Sequence, residues 1–325
     1  MIRFAMQDKI HHQLIIPENF AQERLDQVLA KLMPEYSRTQ IQSWIEDGNI
    51  LLNGKHTKAK IKIKGNEVIT VDVERKIDPT WEAQKIPLPI VYEDEAIIII
   101  NKPVGLVVHP GAGNKNNTLL NALIYHAPQL KLLPRAGIIH RIDKDTSGLL
   151  VIAKTAEALK HLSQQLKNRT IQREYQAVVY GAMISGGTVD APIDRHPIER
   201  KRMAIVETGR QAVTHYRIAE KFRAHTRLML KLETGRTHQI RVHMAYIQHP
   251  IVGDPTYGGK VQLAKGMSTE LIQLMRQFKR QALHAFRLGF IHPLSNEFVS
   301  FEIELPDDMQ VLVEALRADT KGHNK

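Results

Sequence analysis

Between Gly137 and Thr155 the chain reads Gly-Ile-Ile-His-Arg-Ile-Asp-Lys-Asp-Thr-Ser-Gly-Leu-Leu-Val-Ile-Ala-Lys-Thr. Charged and hydroxyl residues there stand between two apolar runs. Apolar runs of this kind around a glycine-containing turn predict two buried strands, which puts the polar residues at the rim of a core. Asp143 has His140, Arg141 and Lys144 for neighbours, and nearby cations favour the ionised form of a carboxylate. A carboxylate in such a place can stabilise or trap an electron-poor sugar carbon, as carboxylates do when glycosidic bonds are cleaved. Asp145 is too near Asp143 to act with it from opposite faces of a sugar ring, so it reads as a hydrogen-bonding residue.

Two further segments carry residues suited to chemistry. Arg173-Glu-Tyr175 opens an apolar strand, and a phenol offers both a π face for stacking and a donor/acceptor tip. Gly235-Arg-Thr-His-Gln-Ile-Arg-Val-His243 contains two histidines and Arg241. Five residues apart on a helix, His238 and His243 point about 140° away from each other. With no His-Glu-x-x-His pattern and no cysteine in the chain, a metal site is not expected. A hydrolase built on Ser147, His140 and Asp143 is disfavoured, since no nucleophile elbow surrounds Ser147.

The segment His140-Arg-Ile-Asp-Lys-Asp-Thr-Ser-Gly148 resembles the His-Arg-Leu-Asp-x-x-Thr-Ser/Thr-Gly signature of the RluA-type pseudouridine synthases, with Ile142 in place of the commoner Leu. The resemblance extends from about Arg24 to Asp319. It implies isomerisation of uridine to pseudouridine in 23S ribosomal RNA, within the large ribosomal subunit or its precursors, with no cofactor. The target base must leave its stack for this, because the glycosidic carbon is otherwise inaccessible. In the family's terms Asp143 is the nucleophile, and Arg141 helps to extrude the nucleotide. Tyr175 stacks on the base and assists proton removal, and Arg241 is the ion-pair partner of Asp143. Leu283, in Gln281-Ala-Leu-His-Ala285, packs beneath the reacting groups, while Lys102-Pro103-Val-Gly105-Leu is a structural block. The blocks His109-Pro-Gly-Ala-Gly113 and Asp254-Pro-Thr-Tyr-Gly-Gly259 imply helix 69 of that RNA, other uridines of the same RNA being the alternative.

The elements that must position these residues fall into two parts. Leu25, Val28, Leu29 and Leu32 recur at helical spacing before Pro34, and Ile41, Trp44 and Ile45 mark a second helix that Ser37 could cap. Ile50-Leu-Leu-Asn-Gly predicts a strand and a turn. Lys58-Ala-Lys-Ile-Lys-Ile-Lys64 then alternates strictly, predicting a strand with Ala59, Ile61 and Ile63 inward and four lysines outward. Two helices and a small basic sheet resemble the S4 RNA-binding module, with Arg24 and Arg38 joining Lys58, Lys60, Lys62 and Lys64 as RNA contacts. The expected organisation is an N-terminal arm over residues 1–19, the S4-like domain over 20–74, a linker over 75–88 and a catalytic domain over 89–325.

From Ala96 onward, β-rich runs are interrupted by helices expected near 237–247 and 269–278. No glycine-rich nucleotide fingerprint or regular strand–helix alternation occurs, so a doubly wound fold is not expected. The prediction is α+β, a mixed β-sheet pseudouridine synthase domain preceded by the S4-like domain. Forty-five Lys+Arg against 34 Asp+Glu gives +11 and a pI near 9.7, a balance that suits a polyanionic partner. A non-catalytic RNA-binding ribosome-assembly factor would share that charge, but not the set Asp143, Tyr175 and Arg241. With no apolar span and no secretory apolar core at the N-terminus, no membrane partner is expected and a cytoplasmic location is the simplest reading.

Overall fold

The computed structural model describes residues 9–33, 36, 38–74, 81–111, 113–200 and 202–323, and the chain divides into two compact units, Met1–Thr80 and Trp81–Lys325. In the first unit, α1 (Leu25–Leu32) and α2 (Arg38–Glu46) pack their apolar faces on a three-stranded antiparallel sheet. The sheet consists of β1 (Lys9–Ile15), β2 (Ile50–Leu52) and β3 (Val68–Glu74), in the order β1-β3-β2. Leu25, Val28, Leu29, Ile41, Trp44 and Ile45 form its core with Ile50, Ile69 and Val71. Residues expected in an N-terminal arm thus supply an edge strand. Ser37, the expected cap of α2, lies outside the described residues.

The lysine-rich segment departs from its prediction. Residues 58–64 are an extended loop and turn rather than a strand. The carbonyls of Ala59, Ile61 and Ile63 instead accept the amides of Asp26, Leu25 and Gln22. The backbone is satisfied by the chain leading into α1, through the isolated bridge Arg24↔Lys62, and not by a strand of the sheet. Ala59 and Ile63 are buried as expected, but Ile61 is 43% exposed. All four lysines remain exposed. The alternation in sequence thus survives only in part as burial, at Ala59 and Ile63.

The second unit is built on a nine-stranded mixed sheet in the order β4-β5-β6-β13-β7-β12-β11-β8, with β14 also paired to β13. Its strands are β4 (Ile90–Glu93), β5 (Ile97–Lys102), β6 (Ser147–Ala153), β7 (Gln172–Tyr180), β8 (Gly187–Asp190), β11 (Val213–Lys221), β12 (His225–Leu232), β13 (Leu283–Ile291) and β14 (Phe298–Glu302). The short hairpin β9 (Ile193–Arg195) and β10 (Met203–Ile205) stands apart from it. Strands β5 and β6 are apolar at successive positions because both faces are covered. Ile98, Ile100, Leu150 and Ile152 pack towards α3 (Leu119–His126), and Ile97, Ile99, Leu149 and Val151 towards α4 (Ala156–Lys167). Helices α5 (Gln239–Tyr246), α6 (Thr269–Gln277) and α7 (Asp307–His323) complete the unit.

Two sequence expectations change here. Only the second apolar run around the signature is a strand. Residues 138–146 run as irregular chain after a short 3-10 turn, touching the sheet through the single bridge Ile138↔Ile152. Residues 81–88 of the expected linker are also pinned to the second unit, where Gln84 donates its amide to Asn121 and the Asn121 side chain donates to the Glu82 carbonyl.

The parallel pairing of β6 with β13, His284↔Ser147 and Ala285↔Gly148, joins the signature to the far end of the chain. Gly148 permits it. Its φ is +121° and an added Cβ would lie 2.2 Å from the Ala285 carbonyl oxygen. Gly148→Ala should destabilise the protein by roughly 2–6 kcal/mol, from backbone strain and overpacking together. Chemical denaturation checks this, and a variant as stable as wild type would show that the strands part there at little cost.

Candidate active site

The signature loop is fastened from below before its side chains meet anything. Lys102 is fully buried at the end of β5, and its Nζ donates to the carbonyls of Pro103 (2.7 Å), Leu106 (2.9 Å) and Lys144 (2.9 Å). Burial pushes this ammonium down to about 7, against the pull of Asp145 and Asp143. Three carbonyl acceptors can nonetheless be satisfied together only by the three N–H groups of the charged form. The Gly105 amide donates to the same Lys144 carbonyl, and Gln281 donates to the Thr146 hydroxyl. The block Lys102–Leu106 therefore holds the peptide that follows Asp143.

Arg241 reaches Asp143 from α5. One Nη donates to Asp143 Oδ2 at 3.0 Å, while Nε and the other Nη clasp Asp254 at 2.7 and 2.9 Å. The Arg241 side chain is 6% exposed, that of Asp143 16% and that of Asp254 not at all. Burial alone would lower the pKa of Arg241, but bonding to Asp254 and the charges of both carboxylates raise it. Burial likewise acts to raise the Asp254 pKa, and is outweighed by Arg241 and the amides of Tyr257 and Thr256. An arginine suits this position because its planar fork can serve two carboxylates and stays charged when dry.

His238 lies on the other side of Asp143, with Nε2 3.9 Å from Oδ1. As N-cap of α5 it adopts the left-handed conformation, φ +56°, a strained choice for a residue with a Cβ. Gln239 fixes the turn, accepting from the Thr234 hydroxyl and the Arg236 amide while donating to Val213 and Thr214. Tyr257 closes the arrangement. Its hydroxyl bonds His238 Nδ1 at 2.8 Å and accepts the Met203 amide, and its ring lies 5.1 Å from the Arg241 guanidinium carbon. Burial lowers the His238 pKa, with Asp143 opposing.

Tyr175 and Leu283 line the same cleft, together with Arg141, Arg173 and Arg241. Tyr175 is 6% exposed. Burial raises the pKa of its phenol, and Arg173 offsets part of that rise. The ring is thus available for stacking in its neutral form. Arg141 is exposed at the mouth.

Other predicted residues have different surroundings. Arg24 and Arg38 both donate to the buried carboxylate of Asp26, each by two nitrogens, while their side chains stay 34% and 42% exposed. Ser147 is bonded to His284 Nδ1 at 2.8 Å, while His140 Nε2 accepts the Val151 amide, so Ser147, His140 and Asp143 do not form a triad. His243 bonds Thr214 and the Ala191 carbonyl, turned to different partners from His238. Sequence reasoning missed Asp254 and Tyr257 as parts of the site. The available signal was the Asp-Pro-Thr-Tyr turn, together with the demand of a buried arginine for its own carboxylate.

A family model described as RNA pseudouridylate synthase matches residues 96–246, and one described as S4 domain matches residues 23–69. The chain is 52% identical over 319 residues to the ribosomal large subunit pseudouridine synthase D of Escherichia coli (strain K12), covering 98% of each. It is 50% identical over 313 residues to the protein of that name from Xanthomonas campestris, covering 96% of this chain and 95% of the relative. The chain belongs to the RNA pseudouridylate synthase family. Among solved structures, human RNA pseudouridylate synthase domain containing 4 superposes with a TM-score of 0.55 at 26% identity, covering 70% of this chain and 92% of that one. Human domain containing 1 gives 0.51 at 26% identity, covering 73% and 97%. Enzymes of this family are isomerases that convert uridine to pseudouridine.

Asp254→Asn should cost about 3–5 kcal/mol of stability at neutral pH, the usual penalty for breaking a buried pair. The pKa of Asp254 is lowered on folding from its ordinary 3.8, so its ionic contribution is complete above that pH and is lost as pH falls below it. The difference between wild type and variant should therefore narrow in acid. Denaturation of both proteins from pH 7 down to about 3, near the unfolded carboxylate value, tests this. A gap that is constant over the range, or none at all, refutes the pairing.

Proposed function

We propose that this chain isomerises uridine to pseudouridine in the RNA of the large ribosomal subunit, within helix 69, and that Asp143 is its nucleophilic carboxylate. The observation that carries the reading is Asp143 in a cleft shared with Tyr175, Arg141 and Leu283, held at 3.0 Å by a buried arginine. A carboxylate so placed can stabilise or trap the sugar carbon as its bond to the base breaks. Arg141 at the mouth is suited to replacing an extruded nucleotide, and the neutral Tyr175 ring to stacking on the extruded base. The relatives' names give the RNA, and a modification of ribosomal RNA accords with a cytoplasmic location. Among the described residues no helix is long and apolar enough to cross a membrane.

Asp143→Asn keeps the shape of the cleft and removes the charge. It should abolish conversion in a large-subunit RNA transcript while leaving RNA affinity near the wild-type value. Pseudouridine mapping of the product checks the first point and a binding titration the second. Wild-type turnover by the purified variant would remove Asp143 from the mechanism.

Lys58, Lys60, Lys62 and Lys64 are proposed to meet phosphates. Four exposed ammonium groups along one short loop repel one another, and a polyanion relieves that repulsion. Replacing all four with Gln should weaken RNA binding. It should also flatten the salt dependence, by about 0.7–0.9 in log–log slope for each phosphate that is no longer neutralised. Conversion at saturating RNA should persist, since none of the four lines the cleft. An unchanged affinity and salt slope would show that this loop stays clear of the RNA.

A further inference from the structure

Arg173 is a buried cation for which the described residues provide no counterion. It lies on β7 two residues before Tyr175, so both side chains leave the same face of the strand, and both line the cleft with Asp143. The residue is 7% exposed and its Nε is buried without a hydrogen-bond partner. One Nη donates to the Glu233 carbonyl at 3.2 Å. Among the described residues no carboxylate pairs with it. The adjacent Glu174 faces the other way, towards Arg287. Burial lowers the pKa of Arg173, and the neighbouring Tyr175 opposes this. Room for the guanidinium is kept by Gly235, where a Cβ would lie 2.7 Å from Nη1.

A buried charge lacking a partner is costly in the resting protein, and stabilised only when something arrives to meet it. The proposed reaction generates such a group. When the bond between the sugar C1′ and the uracil N1 breaks, the electron pair goes to N1 and is spread onto the base carbonyl oxygens. The detached base is then an anion beside Tyr175. Fixed N–H donors in a water-poor cleft act on charge that develops in a transition state more strongly than on the neutral ground state. We propose that Arg173 is a further catalytic residue, donating through its guanidinium to a carbonyl oxygen of the extruded uracil and stabilising the base as an anion while it is detached from the sugar. When C5 of the rotated base joins C1′, the C5 proton is lost and N1 is protonated, and the negative charge is discharged. This deepens the reading of the cleft given above and rests on it.

Single-turnover rates at saturating RNA, Kd values across a salt series and thermal denaturation, each for wild type, Arg173→Met, Arg173→Lys, Gly235→Ala and Asp143→Asn, test the assignment. Arg173→Met should slow conversion by about 100- to 1,000-fold, the usual loss on removing one preorganised donor. Its Kd should stay near the wild-type value and its melting temperature should not fall, since an unpaired buried charge has been removed. Arg173→Lys should recover part of the rate. Gly235→Ala, which crowds Nη1 and leaves the charge, should slow conversion without weakening binding, and it decides the matter with Arg173→Lys if Arg173→Met does not fold. Wild-type rates in the folded Arg173 and Gly235 variants would overturn the proposal. So would an Arg173→Met protein that binds weakly with a flatter salt dependence yet converts RNA normally at saturation, which is the behaviour of a phosphate-binding residue. An active Asp143→Asn would instead overturn the underlying reading of the cleft.

Discussion

Arg241 is shared between two carboxylates, and the architecture of the second unit is arranged around that sharing. Asp254 takes two of its nitrogens and Asp143 one, in a place where the arginine is almost wholly withdrawn from water. A buried ion pair gains its strength from low local dielectric, and demands in return that each remaining polar atom be satisfied. Asp254 meets that demand through two backbone amides of its own turn, Thr256 and Tyr257. Asp143 is left partly open, with one oxygen on Arg241 and the other facing His238 and the cleft. The asymmetry separates a structural carboxylate from one free to meet a substrate.

Around this centre the supporting contacts come from backbone groups as much as from side chains. Lys102 ties the peptide after Asp143 to the end of β5, and Gln239 ties the strained turn at His238 to β11. Tyr257 connects His238, Arg241 and the hairpin strand β10 through one ring and one hydroxyl. A displacement of any of these would move the partners of Asp143, because they share atoms rather than merely lying near one another. The sheet makes the convergence possible. Strand β13 lies between β6 and β7, so the signature, Tyr175 and Leu283 meet although 108 residues separate the last two.

In the first unit the same electrostatic rules lead to a different outcome. Asp26 has no exposed surface and gathers Arg24 and Arg38, which stabilises the junction of the two helices and takes up two nitrogens of each guanidinium group. The lysines of residues 58–64 have no such carboxylate among the described residues and stay at the surface. Charge was legible as a count in the sequence, but the distinction between cations that meet a carboxylate and cations that do not was not. That distinction depends on which acidic residue the fold buries beside them.

Much of the molecule could be read from residue order. Helical spacing identified α1 and α2, apolar runs identified β6 and β7, and the signature identified Asp143, because local periodicity and short motifs carry these features directly. The lysine-rich segment misled, since alternation in sequence fixes neither the burial of every apolar residue, Ile61 being exposed, nor whether a neighbouring strand supplies the hydrogen bonds. The apolar run leading into the signature was expected to be a strand because it is apolar, but it joins the sheet only through the bridge Ile138↔Ile152. Tertiary structure alone decided that Asp254 and Tyr257 belong beside Arg241, and that Arg173 has a cleft to face and no counterion among the described residues. Such facts depend on pairings between residues far apart in the chain, and composition, spacing and periodicity are blind to them.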